Sequence, residues 1–237
     1  MQIAVHHILD FLHEWAPPKT KFDYDNVGLL IGNARQPVER ILTCLDVTEA
    51  IADEAINRNA DLIVAHHPLI FKQLKQITKD SEKGRTLFKL ISNDISVIAA
   101  HTNLDAARYG VSWKLAETLG LKEITFLDKS EDFENTGMGA VGVYKKPVSR
   151  EEFLSMLCQR LNTDAVRYSG APGKIQKVAV CGGAGVFLTE SATNIQADAF
   201  VTADIKYHNY FLDNNKFLLV DVGHFESEIP IVDDVRA

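Results

Sequence analysis

The chain has 237 residues, is 46% hydrophobic and 24% charged, and carries a formal net charge of -7. These figures exclude a disordered polymer, and the acidic balance argues against general affinity for nucleic acid or anionic membrane, both of which rely on a basic surface. The three cysteines, Cys44, Cys158 and Cys181, contain no C-x-x-C pair, so neither a disulfide framework nor a thiolate zinc site is indicated. No apolar run approaches membrane-spanning length, and a reducing cytoplasm is the expected location.

In chain order, residues 3–15 place Ile8, Leu9, Phe11, Leu12 and Trp15 at helical spacing, and Pro17-Pro18 closes the helix. Asp23-Tyr24-Asp25-Asn26-Val27-Gly28 reads as a turn entering the apolar strand Leu29-Leu30-Ile31, with Asp25 and Asn26 candidate site residues for which Asx-turn chemistry is the favoured alternative. A buried strand over 41–45, a helix over 49–57 capped by Thr48 and the strand Leu62-Ile63-Val64-Ala65 form a βαβ unit, which demands parallel pairing. A helix around 85–91 leads to a strand over 95–100, and a helix over 111–119 ends at Gly120.

Residues 128–135 turn acidic and polar and mark the candidate boundary or exposed crossover, dividing the chain into halves 1–127 and 128–237. The second half opens with an apolar segment over 138–143. Ser149-Arg150-Glu151-Glu152 is a capping box for a helix carrying Phe153, Leu154, Leu157 and Leu161. A buried strand over 177–181 then runs into Gly182-Gly183-Ala184-Gly185. This glycine cluster lacks the third glycine of a dinucleotide fingerprint and the lysine of a phosphate-binding loop, so it reads as a tight turn. Helix over 189–196, strand over 199–201, a short helix over 206–213 and a last strand over 217–222 complete the pattern. Ala60-Asp61 and Ala197-Asp198 both stand at a helix-to-strand turn, a faint internal repeat in keeping with two similar halves.

Chemistry is expected where apolar strands stop at ligand-type side chains, because reactive groups in open α/β sheets gather beyond the carboxyl ends of strands. Leu62-Ile63-Val64-Ala65 stops at His66-His67, and Pro68, without an N–H, ends the ladder. Two more strands end in the same way, at His101 with Asp105 and at His224 with Glu226 and Glu228. Neighbouring strand residues face opposite ways, so His66 and His67 serve one centre only where the chain is already turning, or else serve two adjacent centres. Spacing places His224 and Glu228 on one side of a helical turn, with Glu226 pointing elsewhere. Imidazoles mixed with carboxylates, and no thiolate, are the donor set of a catalytic metal site. His101 and His208 are candidate proton carriers or ligand-orienting groups, with a structural histidine as the alternative for each. Lys206 is a candidate for attracting an anionic substrate.

Asp25-Asn26-Val27-Gly28, Ala65-His66-His67-Pro68, His101-Thr102-Asn103-Leu104-Asp105, Asp204-Ile205-Lys206-Tyr207-His208, and Gly223-His224 with Glu228 are similar, in order and across nearly the whole chain, to the signatures of the Nif-three-like family of GTP cyclohydrolase 1 type 2 homologues. The resemblance implies an α/β fold of two related halves with mixed, largely parallel sheets flanked by helices, and a metal site between the halves. It implies two divalent metal ions held by His66, His67, Asp105, His224 and Glu228, the carboxylates placed to bridge. Zinc, iron, manganese, cobalt and nickel all suit such donors. His101, His208 and Glu228 are then the candidate catalytic residues. The implied assembly is a ring-shaped hexamer and the implied activity hydrolysis of a nucleotide-like or heterocyclic small molecule; the alternative is a non-catalytic metal-binding interaction or regulatory protein. The chain has no room for the domain that long members insert between the halves.

Overall fold

The structure, a computed structural model, describes residues 2–212 and 215–237. Two compact units emerge, Met1–Leu104 with Val232–Ala237, and Asp105–Ile231.

The first unit contains α1 (Val5–Trp15), β1 (Gly28–Ile31), β2 (Ile41–Cys44), α2 (Glu49–Asn57), β3 (Leu62–Ala65), α3 (Glu82–Ser92) and β4 (Ser96–Ala99), and α4 (Thr102–Asp105) follows at its end. Its four-stranded sheet has the order β1-β4-β3-β2, in which β2, β3 and β4 are parallel and β1 is antiparallel. All four residues of β3 are buried, as a strand covered on both faces requires. Leu62 and Val64 join the apolar cluster of Val5 and Leu12 from α1, while Ile63 and Ala65 join that of Ala52 and Ala55 from α2 and Leu87 and Leu90 from α3. The period-two alternation of strand side chains thus divides one apolar run between two helical layers.

The second unit contains α5 (Val111–Thr118), β5 (Lys122–Lys129), β6 (Gly137–Val148), α6 (Arg150–Leu161), β7 (Arg167–Ser169), β8 (Ile175–Val180), α7 (Thr189–Asn194), β9 (Ala199–Thr202), β10 (Leu218–Asp221) and α8 (His224–Glu228); α9 (Ile231–Arg236) ends the chain. The six-stranded sheet runs β5-β6-β8-β9-β10-β7, with β8, β9 and β10 parallel and the other pairs antiparallel. Val178, Val180, Ala199, Val201, Leu218 and Val220 face α5 and α6, and Ala179, Phe200 and Leu219 face the layer with α7. The fold is therefore the expected mixed α/β arrangement of two sheets flanked by helices.

Several local expectations shift. Residues 128–135 run from the end of β5 into the tip of the β5–β6 hairpin, which accounts for their polarity. The expected helix over 206–213 is a single 3₁₀ turn at Tyr207–Tyr210, and Asp213 lies outside the described residues. β5 and β7 carry mostly exposed residues, so no apolar run announces them. Among the described residues no helix is long and apolar enough to cross a membrane.

The internal repeat has a structural counterpart. In the first unit the Asp61 carboxylate accepts the Glu39 and Arg40 amides at 2.8 and 2.9 Å, tying down the entry to β2. In the second, the Asp198 carboxylate accepts the Gln176 and Lys177 amides at 2.8 Å each, at the entry to β8. The sequence separations, 22 and 21 residues, are the same in both.

The starts of α2 and α6 follow the sequence, and α3 begins at Glu82, ahead of the expected 85. Thr48, Ser81 and Ser149 each accept an amide from the first turn of α2, α3 and α6. Thr48→Ala should cost about 1 kcal/mol, the usual loss for an N-cap hydroxyl, read as a lower urea midpoint at unchanged slope. A variant indistinguishable from wild type would mean that the Thr48 hydroxyl contributes nothing to α2.

Candidate metal centre

Register explains how the first unit gathers its imidazoles. Cys44 on β2 pairs with Ala65 on β3, and Ala65 pairs with Ala99 on β4. Two residues beyond that row stand Asp46, His67 and His101, each delivered by its own strand to the same edge. β3 ends at Ala65, so the chain has left the extended conformation when it reaches the histidines. The His66 and His67 rings lie 4.9 Å apart at 43° to each other, and the His101 ring stands 5.2 and 5.4 Å from them. One nitrogen from each of the three lies within 4.8 Å of the other two. Both imidazoles thus reach one place by the turning route.

Each ring is oriented through its Nδ1. His66 donates to the Ala100 carbonyl at 2.8 Å, His67 to the Asp46 carboxylate at 2.8 Å and His101 to the Asp25 carboxylate at 2.8 Å. A proton committed at Nδ1 leaves Nε2 as the nitrogen each ring offers to a metal. Asp25 does more than shape an Asx turn. Its side chain is fully buried and also accepts the Asn26 amide at 2.8 Å, the Thr102 amide at 3.1 Å and the Thr102 hydroxyl. Burial pushes the Asp25 carboxyl up, but the hydrogen bonds from His101 and Thr102 outweigh it and hold the group well below the usual carboxylate range.

The second unit gathers acids. His224 and Glu228 open and close the five-residue α8, and the i,i+4 spacing brings His224 Nε2 to 3.2 Å from a Glu228 carboxylate oxygen. His224 Nδ1 donates to Asp204 at 2.8 Å, repeating the arrangement of the first unit. Thr202 on β9 pairs with Asp221 on β10, so Asp204 and Gly223 continue the same row. The Glu228 carboxylate, opposed by burial and helped by Asp204, holds the His224 imidazole up at about 9. Asp105, the last residue of α4, stands with Glu228 near the buried Cys181. Burial first, then the charges of these two acids, pushes the Cys181 thiol up to about 12.

Gly183 stands in the turn after β8, and its surroundings give it a second task. Its φ is +60°, and a Cβ there would overlap Glu228 Oε1 and stand 3.2 Å from His224 Nε2. The glycine lets the backbone lie against Glu228 and His224. His208 sits on the exposed Tyr207–Tyr210 turn with its ring against Tyr207 and Phe211, at 5.2 and 6.2 Å, and belongs to none of the ligand groups among the described residues. Lys206 is exposed beside it. The sequence reading missed Asp46 as an imidazole partner, although the parallel pairing of 41–45 with 62–65 contained the signal.

The pattern described as Duf34/NIF3 (NGG1p interacting factor 3) matches residues 3–237. A Clostridium acetobutylicum protein named "GTP cyclohydrolase 1 type 2 homolog" is 34% identical over 236 residues, covering 98% of this chain and 88% of that protein. The crystal structure of Staphylococcus aureus hypothetical protein SA1388 superposes with a TM-score of 0.89 at 30% identity, covering 96% of this chain and 88% of that one. That of a Bacillus cereus protein related to NIF3 gives 0.88 at 25% identity, covering 99% and 92%. With a family pattern spanning the chain and a relative matched over almost all of it, this protein belongs to the Duf34/NIF3 family.

Proposed function

We propose that the chain is a metal-dependent hydrolase in which His66, His67, Asp105, His224 and Glu228 together hold two divalent metal ions, acting on a nucleotide-like or heterocyclic small molecule in the cytoplasm as a ring-shaped hexamer. The observation that carries the reading is the shared treatment of four imidazoles. His66, His67, His101 and His224 each give Nδ1 to a backbone carbonyl or a carboxylate at 2.8 Å, which is how metal-binding histidines are held. The residues fit such a group. Imidazole nitrogens and two acids form an oxygen and nitrogen donor set of the right charge, and Gly183 keeps the space beside Glu228 and His224 open. α4 begins one residue after His101 and ends at Asp105, so the chain itself links the imidazole group to the first acid.

When bound, such a metal pair lowers the pKa of a water toward neutrality and offsets charge developing on the substrate. The protein's own groups do the rest. Asp25 fixes the His101 tautomer, with its proton on Nδ1 and Nε2 turned to accept another. Of the two proposed proton carriers, His101 has the stronger support, because it belongs to the imidazole trio. The name carried by the Clostridium relative supports a nucleotide-like substrate.

The test is purified chain loaded in turn with manganese, zinc, cobalt, iron or nickel, analysed for metal content and assayed against GTP and a panel of phosphoesters. Two ions per chain with turnover are expected. Metal bound with no turnover across the panel would favour the non-catalytic alternative, for which the description "interacting factor" in the family name speaks. Gly183→Ala bears on the same centre. A left-handed φ costs alanine about 1 kcal/mol, and the added methyl displaces the Glu228 carboxylate. Metal affinity should fall roughly 10- to 100-fold, measured by chelator competition. Gly173→Ala, whose Cβ meets nothing within 4 Å, is the control and should bind as wild type does.

A further inference from the structure

Beside the imidazole trio, the first unit exposes aromatic surface that its folding does not explain. Tyr24 is 67% and Phe71 37% accessible. Their rings are not scattered. Phe22 stacks on Tyr24 at 5.4 Å and 24°, Tyr24 meets Phe71 edge to face at 6.1 Å, and Phe71 meets His101 edge to face at 6.0 Å. A continuous row of rings therefore runs from the surface to His101, and from there to His66 and His67.

The row is fastened at several points. The Phe22 amide donates to the Thr102 hydroxyl at 3.0 Å, the Asn26 side-chain amide to the Ile70 carbonyl at 2.6 Å, and Lys21 Nζ to the Asp25 carbonyl at 2.9 Å. These bonds fix the turn bearing Phe22 and Tyr24 against both the start of α4 and the segment bearing Phe71. Aromatic side chains held at the surface by such ties lose little entropy when a ligand arrives. The segment continues as Phe71-Lys72-Gln73-Leu74-Lys75, and Lys72 and Lys75 are exposed cations that form no ion pair among the described residues. Rings flanked by cations are the chemistry that receives a planar heterocycle carrying an anionic group.

We propose that Tyr24 and Phe71, standing at 75° to each other, form an aromatic corner, the shelf for the base of a mononucleotide, one ring stacking on the face of the base and the other meeting its edge, with Lys72 and Lys75 attending its phosphate, so that the ligand is presented to the imidazole trio from the Phe71 side. This rests on the hydrolase reading for what happens next, but the shelf binds whether or not the centre turns over. Tyr24 and Phe71 touch the ligand and set its specificity; neither takes part in the reaction.

The experiment is equilibrium binding of GMP, ribose 5-phosphate and inorganic phosphate to the full chain, metal-free and manganese-loaded, for wild type, Tyr24→Ala, Phe71→Ala and Tyr24→Phe. GMP should bind wild type more tightly than ribose 5-phosphate in both metal states. Each alanine variant should weaken GMP roughly 5- to 100-fold, the loss of one base–aromatic contact, face-on or edge-on, with ribose 5-phosphate unchanged. Tyr24→Phe should restore GMP binding. The metal-free arm keeps an effect on stacking separate from any effect of Phe71→Ala on His101. GMP bound no better than ribose 5-phosphate, equal affinity in wild type and both alanine variants, or no GMP binding by wild type would each overturn the shelf. GMP bound with this pattern but never hydrolysed leaves the shelf standing, and the hydrolase reading is then decided by GTP and the phosphoester panel.

Discussion

Asp105→Ala is expected to lose more than about 100-fold of any turnover measured for the metal-loaded wild type, exceeding the 10- to 100-fold cost of losing a mere partner of a ligand. The reason is electrostatic. Asp105 and Glu228 are two acids close enough to the buried Cys181 thiol for both charges to raise it, and like charges held together in a buried place are costly until cations join them. Oxygens of Asp105 and Glu228 lie within 4.8 Å of each other, so under the proposed function Asp105 is a metal ligand that alanine removes. A readout independent of turnover is metal-induced thermal stabilisation. Binding to the folded state alone contributes about 2.7 kcal/mol when metal stands at 100 times its dissociation constant, and this increment should largely vanish in the variant. Wild-type turnover and undiminished metal stabilisation in Asp105→Ala would remove Asp105 from the centre.

Asp25→Ala is expected to be the most destabilising single change near the site. The carboxylate is fully buried and accepts from Asn26, His101 and Thr102; deleting it leaves buried donors without their acceptor and lets the His101 ring turn. Losing one side of a buried, charge-assisted network costs about 3–5 kcal/mol. In a chain of this size each kcal/mol moves the melting midpoint by about 2–4 °C, so a fall of roughly 6–20 °C is expected. The sign of the pH dependence follows from the depressed folded-state pKa of Asp25. Its contribution is complete above the ordinary carboxylate value of about 3.9 and is lost as pH falls toward the lower folded value. The gap between wild type and Asp25→Ala should therefore be widest near neutrality and narrow in acid. A constant gap across that range would show that cavity formation, not the ionised carboxylate, sets the cost.

Much of this was legible from pattern alone. Leu62 to Ala65 reads as a strand because it is continuously apolar and β-branched, and the stop at His66-His67-Pro68 follows from proline chemistry. His224 and Glu228 meet because helical spacing makes them meet. What escaped was what the chain brings together at long separation. Asp25 and His101 are 76 residues apart and Asp46 and His67 are 21 apart; composition around Asp25 favours a local turn, and only strand register shows that Asp46 ends level with His67. β5 escaped because its apolar residues, Ile124, Phe126 and Leu127, are few, interrupted by Thr125 and flanked by Lys122-Glu123 and Asp128-Lys129. Gly183 looked like turn chemistry since a glycine is silent about which side chain leans against it.

The clasps of Asp61 and Asp198 bear on descent. Two sheets with no residue in common are fastened at the same point, by the same side chain, across the same intervals, and copying accounts for that better than coincidence. The strand entrances are therefore alike in the two units, while the strand ends differ in residue type, bearing His66, His67 and His101 in one and His224 with Glu228 in the other.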